Sequence, residues 1–377
     1  MKVTLGFQNS CYTIYMTDPA SPIRIGTKTL KNRITMAPTV KFAAGEDGLV
    51  TDEFVRHYEE RAKHGAGLIV LEATCVSPEG RLAPTQLGLW CDEQIEGHRK
   101  IADAVHKYGT LIIPQIHHGG LGTHPACGPL TSPTKVRWNS FGHETDAEEL
   151  TLEDIARIQQ QFVDAAIRAQ KAGCDGVQLH GCHAYLINDF ASPVNRRTDR
   201  YGGSIENLAR FGSEIISGIR KACGPDFIIS MRVSGADPTP EEAPLIAEEY
   251  VAAGCDYLQV SCGIAEFPDV PWNESLPYTK IAALGVAMHE HFKGRVPVST
   301  VNGFRTVEKV RYMFDHDLID TIDLACGLLA DPAFTEAILE DAPYVKCAGC
   351  PQCAYGPFHS HKCPAAVKRG VEEFAFK

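Results

Sequence analysis

Two histidines three residues apart, His180 and His183, precede Tyr185 in the run VQLHGCHAYLINDF at 177–190. Imidazole N–H groups at that spacing can converge on one carbonyl oxygen and hold it as it gains charge. A phenol beside them can deliver a proton. Taken alone, H-x-x-H suits a metal ion or two capped histidines better. A second group lies near the C-terminus: Cys347, Cys350, Cys353 and Cys363, spaced C-x2-C-x2-C-x9-C and ending in Cys363-Pro364. Four thiols this close imply a metal when no disulfide framework is in view. Zinc favours two separated C-x2-C pairs. Three cysteines in tight series with a distant fourth beside proline look more like a [4Fe–4S] site. His359 and His361 inside the spacer leave a mixed Cys/His zinc site as the alternative.

Eight short β-rich runs could position these groups: 33–37, 67–71, 110–116, 176–179, 227–232, 257–260, 296–300 and 321–325. Helical periodicity follows each at 51–63, 92–106, 151–171, 205–221, 240–253, 275–292, 306–315 and 332–340. Uniformly apolar strands joined by helical crossovers imply a parallel sheet buried on both faces. Eight such units predict an α/β fold, a closed (β/α)8 TIM barrel over residues 1–340 with a cysteine-rich extension over 341–377. An open doubly wound sheet would need a Gly-rich loop after its first strand, and Pro38-Thr39-Val40-Lys41 is not one. Residues 1–31 are expected to close the barrel bottom. Barrel chemistry sits at the C-terminal strand ends, which here carry Pro38-Thr39, Glu72-Ala73, Gln115 with His117 and His118, His180 with His183, Arg232, Ser261, Asn302-Gly303 and Cys326. Ser261 needs no explanation beyond a polar strand end meeting solvent. The loop 119–147 and the segment 263–274 are expected to shape a substrate pocket, with Trp138, Phe141, Phe267 and Trp272 available to stack.

The chain has 377 residues, with 36 Lys+Arg against 47 Asp+Glu and a formal net charge of −11. That balance argues against nucleic acid and anionic membrane as partners. No apolar run approaches the ~18 residues of a membrane span, and the N-terminus has no secretory pattern. A cytoplasmic location follows as the expectation, with the 14 cysteines as thiols or ligands.

The stretch SPVNRRTDRYGGSIEN at 192–207, following the His180–Phe190 run, resembles the signature of the Old Yellow Enzyme family. The branch of 2,4-dienoyl-CoA reductase and trimethylamine dehydrogenase is the nearest in pattern. The likeness extends to NRITMAPT at 32–39, Glu72-Ala73, Gln115, MRVS at 231–234 and LLADP at 328–332. It implies FMN across the barrel mouth. Pro38, Thr39 and Ala73 would line the ring system, Gln115 would bond its pyrimidine edge, and Arg232 would stabilise the anionic reduced flavin. His180 and His183 would hold a substrate carbonyl oxygen and Tyr185 would be the proton donor. Asn302, Gly303, Ala325 and Cys326 would take the FMN phosphate through backbone N–H groups.

Two departures stand out: Ala325-Cys326-Gly327 replaces the usual Gly-Arg, with Arg305 as a candidate substitute, and Leu208 stands where the family often has Arg. The resemblance implies an NAD(P)H-linked ene-reductase acting on a C=C conjugated to a carbonyl. Its cluster would be a [4Fe–4S] on Cys347, Cys350, Cys353 and Cys363. A separate electron-donor flavoprotein and a homo-oligomer are the expected partners. The alternatives are amine oxidation as in the dehydrogenase cousin, a zinc-dependent barrel hydrolase, and a degenerate flavin-fold electron-transfer protein.

Overall fold

The computed structural model describes residues 17–140, 142–264, 272–351, 353 and 363–368. Phe141, Phe267, His359 and His361 lie outside them. Eight strands form the barrel: β1 Ile34–Met36, β2 Leu68–Cys75, β3 Leu111–His117, β4 Gly176–Gly181, β5 Ile228–Ser234, β6 Tyr257–Ser261, β7 Val298–Thr300 and β8 Thr321–Leu324. Each pairs in parallel with its sequence neighbours, and β8 closes on β1. The principal helices are α1 Asp52–Lys63, α2 Ile95–His106, α3 Leu152–Lys171, α4 Ile205–Cys223, α5 Ala243–Ala252, α6 Lys280–Phe292, α7 Val307–Asp315 and α8 Phe334–Glu340. No helix among the described residues is long and apolar enough to cross a membrane.

Local chemistry sets the helix starts. Thr151 accepts from the Asp154 N–H at 3.1 Å while Asp154 accepts from the Thr151 N–H at 3.1 Å, a reciprocal cap on α3. The helix expected from Ser275 begins only at Lys280, because Pro277 cannot donate into a helical turn and Thr279 supplies the cap, accepting from Ala282 at 3.3 Å. The expected loop 119–147 contains an antiparallel hairpin, Val136–Ser140 with His143–Glu149. Its second strand, HETDAEE, buries only Ala147, so no apolar alternation announces it.

The barrel interior is layered. At the bottom, a hairpin of Ile23–Ile25 and Lys28–Leu30 inserts Ile25 and Leu30 against Leu68, Val70, Ile113, Ile228 and Tyr257. Its turn needs Gly26, whose φ of 57° suits glycine and whose absent Cβ would stand 3.1 Å from the Asp256 carboxylate. Above this apolar plug lies a polar layer. Asp323 on β8 accepts from Thr35 of β1 and Ser299 of β7, and Gln178 on β4 donates to Ser230 on β5 at 3.2 Å. At the far end, the extension packs Cys363 and Ala365 against Leu329 and Ala330.

Candidate active site

Register builds the site. In the β4–β5 pairing His180 stands beside Arg232, and in the β5–β6 pairing Ser234 stands beside Ser261. The chain then reverses sharply: His183 and Ala184 adopt φ of 63° and 60°, left-handed values that cost non-glycine residues about 1–2 kcal/mol each. Asn188 compensates. Its Oδ1 accepts from the Ala184 N–H at 3.0 Å and its Nδ2 donates to Asp237 at 2.9 Å. The reversal folds Tyr185 back over His180, with ring centroids 4.5 Å apart and planes at 85°. His183 lies 5.1 Å from His180, and His117, from the end of β3, lies 5.5 Å from Tyr185.

A polar relay orders these rings. Arg232 donates from Nη2 to Ser261 Oγ at 3.4 Å, and Ser261 Oγ lies 2.8 Å from His183 Nε2. A serine hydroxyl has one donor and two acceptor sites, so Ser261 can accept from Arg232 and still either donate to His183 Nε2 or accept from it. Cys182 is buried with its sulfur 3.6 Å from His180 Nδ1. His180, Cys182 and His183 bring ligand-type atoms within 4.8 Å of one another. Burial, with Arg232 and neighbouring histidines adding to it, holds His180 well below the usual imidazole range. Burial likewise pushes His183 down to about 3 and His117 down to about 3. It pushes the Tyr185 phenol up to about 12 and the Cys182 thiol up to about 12. The three imidazoles are therefore neutral donors, and the phenol keeps its proton.

His183 and Tyr185 border a cavity of about 370 Å3, with Val40, Phe42, Leu82 and Trp138 among its walls. Trp138 thus stands where a pocket residue was expected. Trp272 does not line this cavity; its Nε1 donates to the Tyr278 carbonyl at 2.7 Å.

The residues expected around a flavin lie in the C-terminal parts of the barrel strands or just after them. Ala73 is buried, and its carbonyl accepts from Gln86 Nε2 at 2.9 Å. Pro38 and Thr39 follow β1 and are partly exposed. Gln115 Nε2 donates to Gln178 at 2.7 Å. Arg232 is buried, and its Nε has no hydrogen-bond partner among the described residues. A buried guanidinium with an unused donor is costly unless an anion or acceptor completes it, which fits a flavin edge. Asn302 and Gly303 take φ of 91° and 84° after β7, and a Cβ on Gly303 would meet Thr279 at 2.6 Å. Ala325 precedes a short helix, Cys326–Ala330.

The side chain of Cys326 turns into a pocket shared with Cys347, Cys350, Cys353, Cys363 and Arg305. That leaves only its backbone for the phosphate expected there, and it puts Arg305 among the thiols. Cys347 is drawn down to about 6, first by the Cys326 thiol and then by the Gly349 N–H and the Arg305 charge. Beside this pocket Glu72 accepts from the Lys41 N–H at 2.8 Å and from Tyr58 at 3.3 Å. Burial brings Glu72 up to about 7 and Lys41 down to about 7.

Sequence reasoning missed Ser261, set aside as a solvent-facing strand end. It also made nothing of Lys41. His117 was legible as a strand-end histidine two residues past Gln115. The diagnostic 192–207 run does structural work: Arg197 Nη1 holds the Pro133 and Leu150 carbonyls at 2.8 Å each, and Asn195 holds those of Phe190 and Tyr201 at 2.8 and 2.7 Å.

Comparison with known proteins identifies the family. The NADH:flavin oxidoreductase / NADH oxidase family matches residues 20–343. The NADH oxidase of Thermoanaerobacter brockii is 38% identical over 329 residues, covering 84% of this chain and 50% of that protein. The metal reductase of Desulforamulus reducens is 34% identical over 345 residues, covering 88% of this chain and again 50% of the relative. The chain thus spans about half the length of these relatives. Among solved structures, a 2-naphthoyl-CoA reductase in complex with 2-naphthoyl-CoA superimposes with a TM-score of 0.85 at 26% identity, over 94% of this chain and 58% of that one. An Old Yellow Enzyme homologue from Zymomonas mobilis gives 0.75 at 27% identity, over 88% and 95%. The chain belongs to the NADH:flavin oxidoreductase / NADH oxidase family, the Old Yellow Enzyme family that its sequence resembles.

Proposed function

We propose that this chain is an FMN-dependent ene-reductase that reduces a C=C conjugated to a carbonyl, with electrons from NAD(P)H or from a separate flavoprotein. The carrying observation is the packing of His180 against His183 and Tyr185, which stand at the cavity edge, with the buried, incompletely bonded Arg232 beside His180 in the strand register. The residues fit FMN: Pro38, Thr39, Ala73, Gln115 and Arg232 would hold its ring system, and the backbone of Asn302, Gly303, Ala325 and Cys326 its phosphate. FMN, when bound, supplies hydride chemistry at that mouth. The chain's own residues do the rest. Neutral His180 and His183 donate N–H to the substrate oxygen and stabilise the charge it gains as the double bond is reduced. Their neutrality matters, because an imidazolium beside Arg232 would repel that cation. Tyr185 passes its phenolic proton to the α-carbon and recovers one from solvent. Trp138, Phe42 and Leu82 exclude water and favour a flat apolar substrate.

The cysteine pocket fits an iron–sulfur centre on Cys347, Cys350, Cys353 and Cys363, with Arg305 offsetting thiolate charge. It would pass single electrons between FMN and a protein donor. The clustered His180, Cys182 and His183 favour a second reading, a metal ion at the mouth. One anaerobic preparation separates the two readings. An absorption spectrum with metal and sulfide assays should show flavin and iron without stoichiometric zinc. 2-Cyclohexen-1-one should be reduced to the saturated ketone at the expense of NADH or NADPH. A colourless zinc protein inert to enones would overturn the flavin reading.

A further inference from the structure

The C-terminal pocket holds one cysteine that the spacing motif does not contain. Cys347, Cys350, Cys353 and Cys363 belong to one segment, whereas Cys326 comes from the barrel, as the first residue of the short helix after β8. Its backbone is fixed: Ala325 O accepts from Leu329 N at 3.0 Å and Gly327 O accepts from Asp331 N at 2.9 Å. Its side chain lines the same pocket as those of Cys347, Cys350, Cys353 and Cys363. One cation, Arg305, lines the same pocket. Four cysteines complete the protein ligation of a four-iron cluster. The pocket therefore holds one sulfur more than ligation uses.

We propose that Cys326 is a fifth, non-ligating thiol of the iron–sulfur site, donating its one S–H to a ligand sulfur, that of Cys347 or Cys353, and so raising the reduction potential of the cluster. This deepens the iron–sulfur reading above and rests on it. A hydrogen bond to a ligand sulfur draws off negative charge, and the reduced cluster, which carries one more electron, gains most from that. No bond at Cys326 forms or breaks, so its role is positioning and tuning. Because Cys326 directly follows Ala325 at the flavin-binding end of β8, one backbone turn serves both redox sites.

The test uses the full chain, purified anaerobically as wild type, Cys326→Ala and Cys326→Ser. Iron and acid-labile sulfide are assayed, and the cluster potential is followed by electron paramagnetic resonance during a redox titration. All three proteins are expected to carry the same iron per chain. The alanine variant should show a more negative midpoint potential than wild type, with the serine variant, which keeps an O–H donor, between them. Equal potentials in wild type and Cys326→Ala overturn the proposal. Loss of iron from both variants also overturns it and makes Cys326 a ligand. If the alanine variant does not fold, Cys326→Val, which also lacks a donor, decides in its place: a potential below wild type supports the donor, and an unchanged one rejects it. Wild type without iron defeats the underlying cluster reading instead, which is a separate and recognisable result.

Discussion

Tyr185 is the residue on which proton delivery is most directly tested. Tyr185→Phe removes the donor and keeps the ring that packs on His180 at 4.5 Å. Enone turnover should fall about 10²–10⁴-fold, while flavin reduction by NAD(P)H in stopped flow stays at the wild-type rate. Equal loss in both half-reactions would make Tyr185 a packing residue only. The imidazoles imply an unusual pH profile. With His183 down to about 3, His180 lower than its usual range and Tyr185 up to about 12, none of the three changes charge near neutrality. The oxidative half-reaction, kcat/KM for the enone, should therefore lack the limb near pH ~6.5 that an ordinary histidine would impose. A clear inflection there that disappears in His180→Asn or His183→Asn would contradict the neutral-donor assignment. Removing Ser261 should release the His183 ring from the contact that orients it. Ser261→Ala is expected to weaken enone binding more than it slows reduction by NAD(P)H, read as separate KM and kcat changes for the two substrates.

The elements that carry these residues are held by groups remote from the chemistry. Arg197 ties the segment after β4 to the carbonyls of Pro133 and Leu150 flanking the hairpin, and its guanidinium pairs with Asp199. Arg197→Ala should cost about 2 kcal/mol in denaturant unfolding by stranding those acceptors, and activity should fall with it. An unchanged midpoint would show that the 192–207 run serves something other than this tie. In α2, His98 is buried with Nδ1 2.9 Å from the Gln94 carbonyl, and burial pushes it down to about 4. The unfolded chain protonates this histidine near 6.5 and the folded chain refuses the proton, so its contribution is whole above pH ~6.5 and is lost as pH falls toward 4. That swing is roughly 3 kcal/mol. His98→Gln should therefore lose less stability than wild type between pH 7 and 4.5; parallel curves would refute the sign. The eight strands were legible because apolar β-branched runs recur between capped helical stretches, and because strand ends in a barrel share one face. The hairpin was not, since HETDAEE gives no burial signal. Nor was the meeting of Cys326 with Cys347 and Cys353 in one pocket, which joins residues from two distant parts of the chain, or the bond between Ser261 and His183, which depends on β4–β6 register and a left-handed turn.

Across the molecule, three layers stack along the barrel axis: an apolar plug, a polar middle and the ring cluster at the mouth. The ring cluster and the closing of the bottom by a segment within residues 1–31 were read from sequence; the polar middle was not, because it alternates within strands that look uniformly buried. The hairpin that wedges Ile25 and Leu30 into the lower end also dictates traffic. With the base stoppered among the described residues, a reductant and a molecule to be reduced would share the opposite doorway, and the prediction is that they call one after the other. Initial-rate measurements with both varied should then trace parallel lines in reciprocal coordinates, and intersecting lines would mean that a second entrance exists.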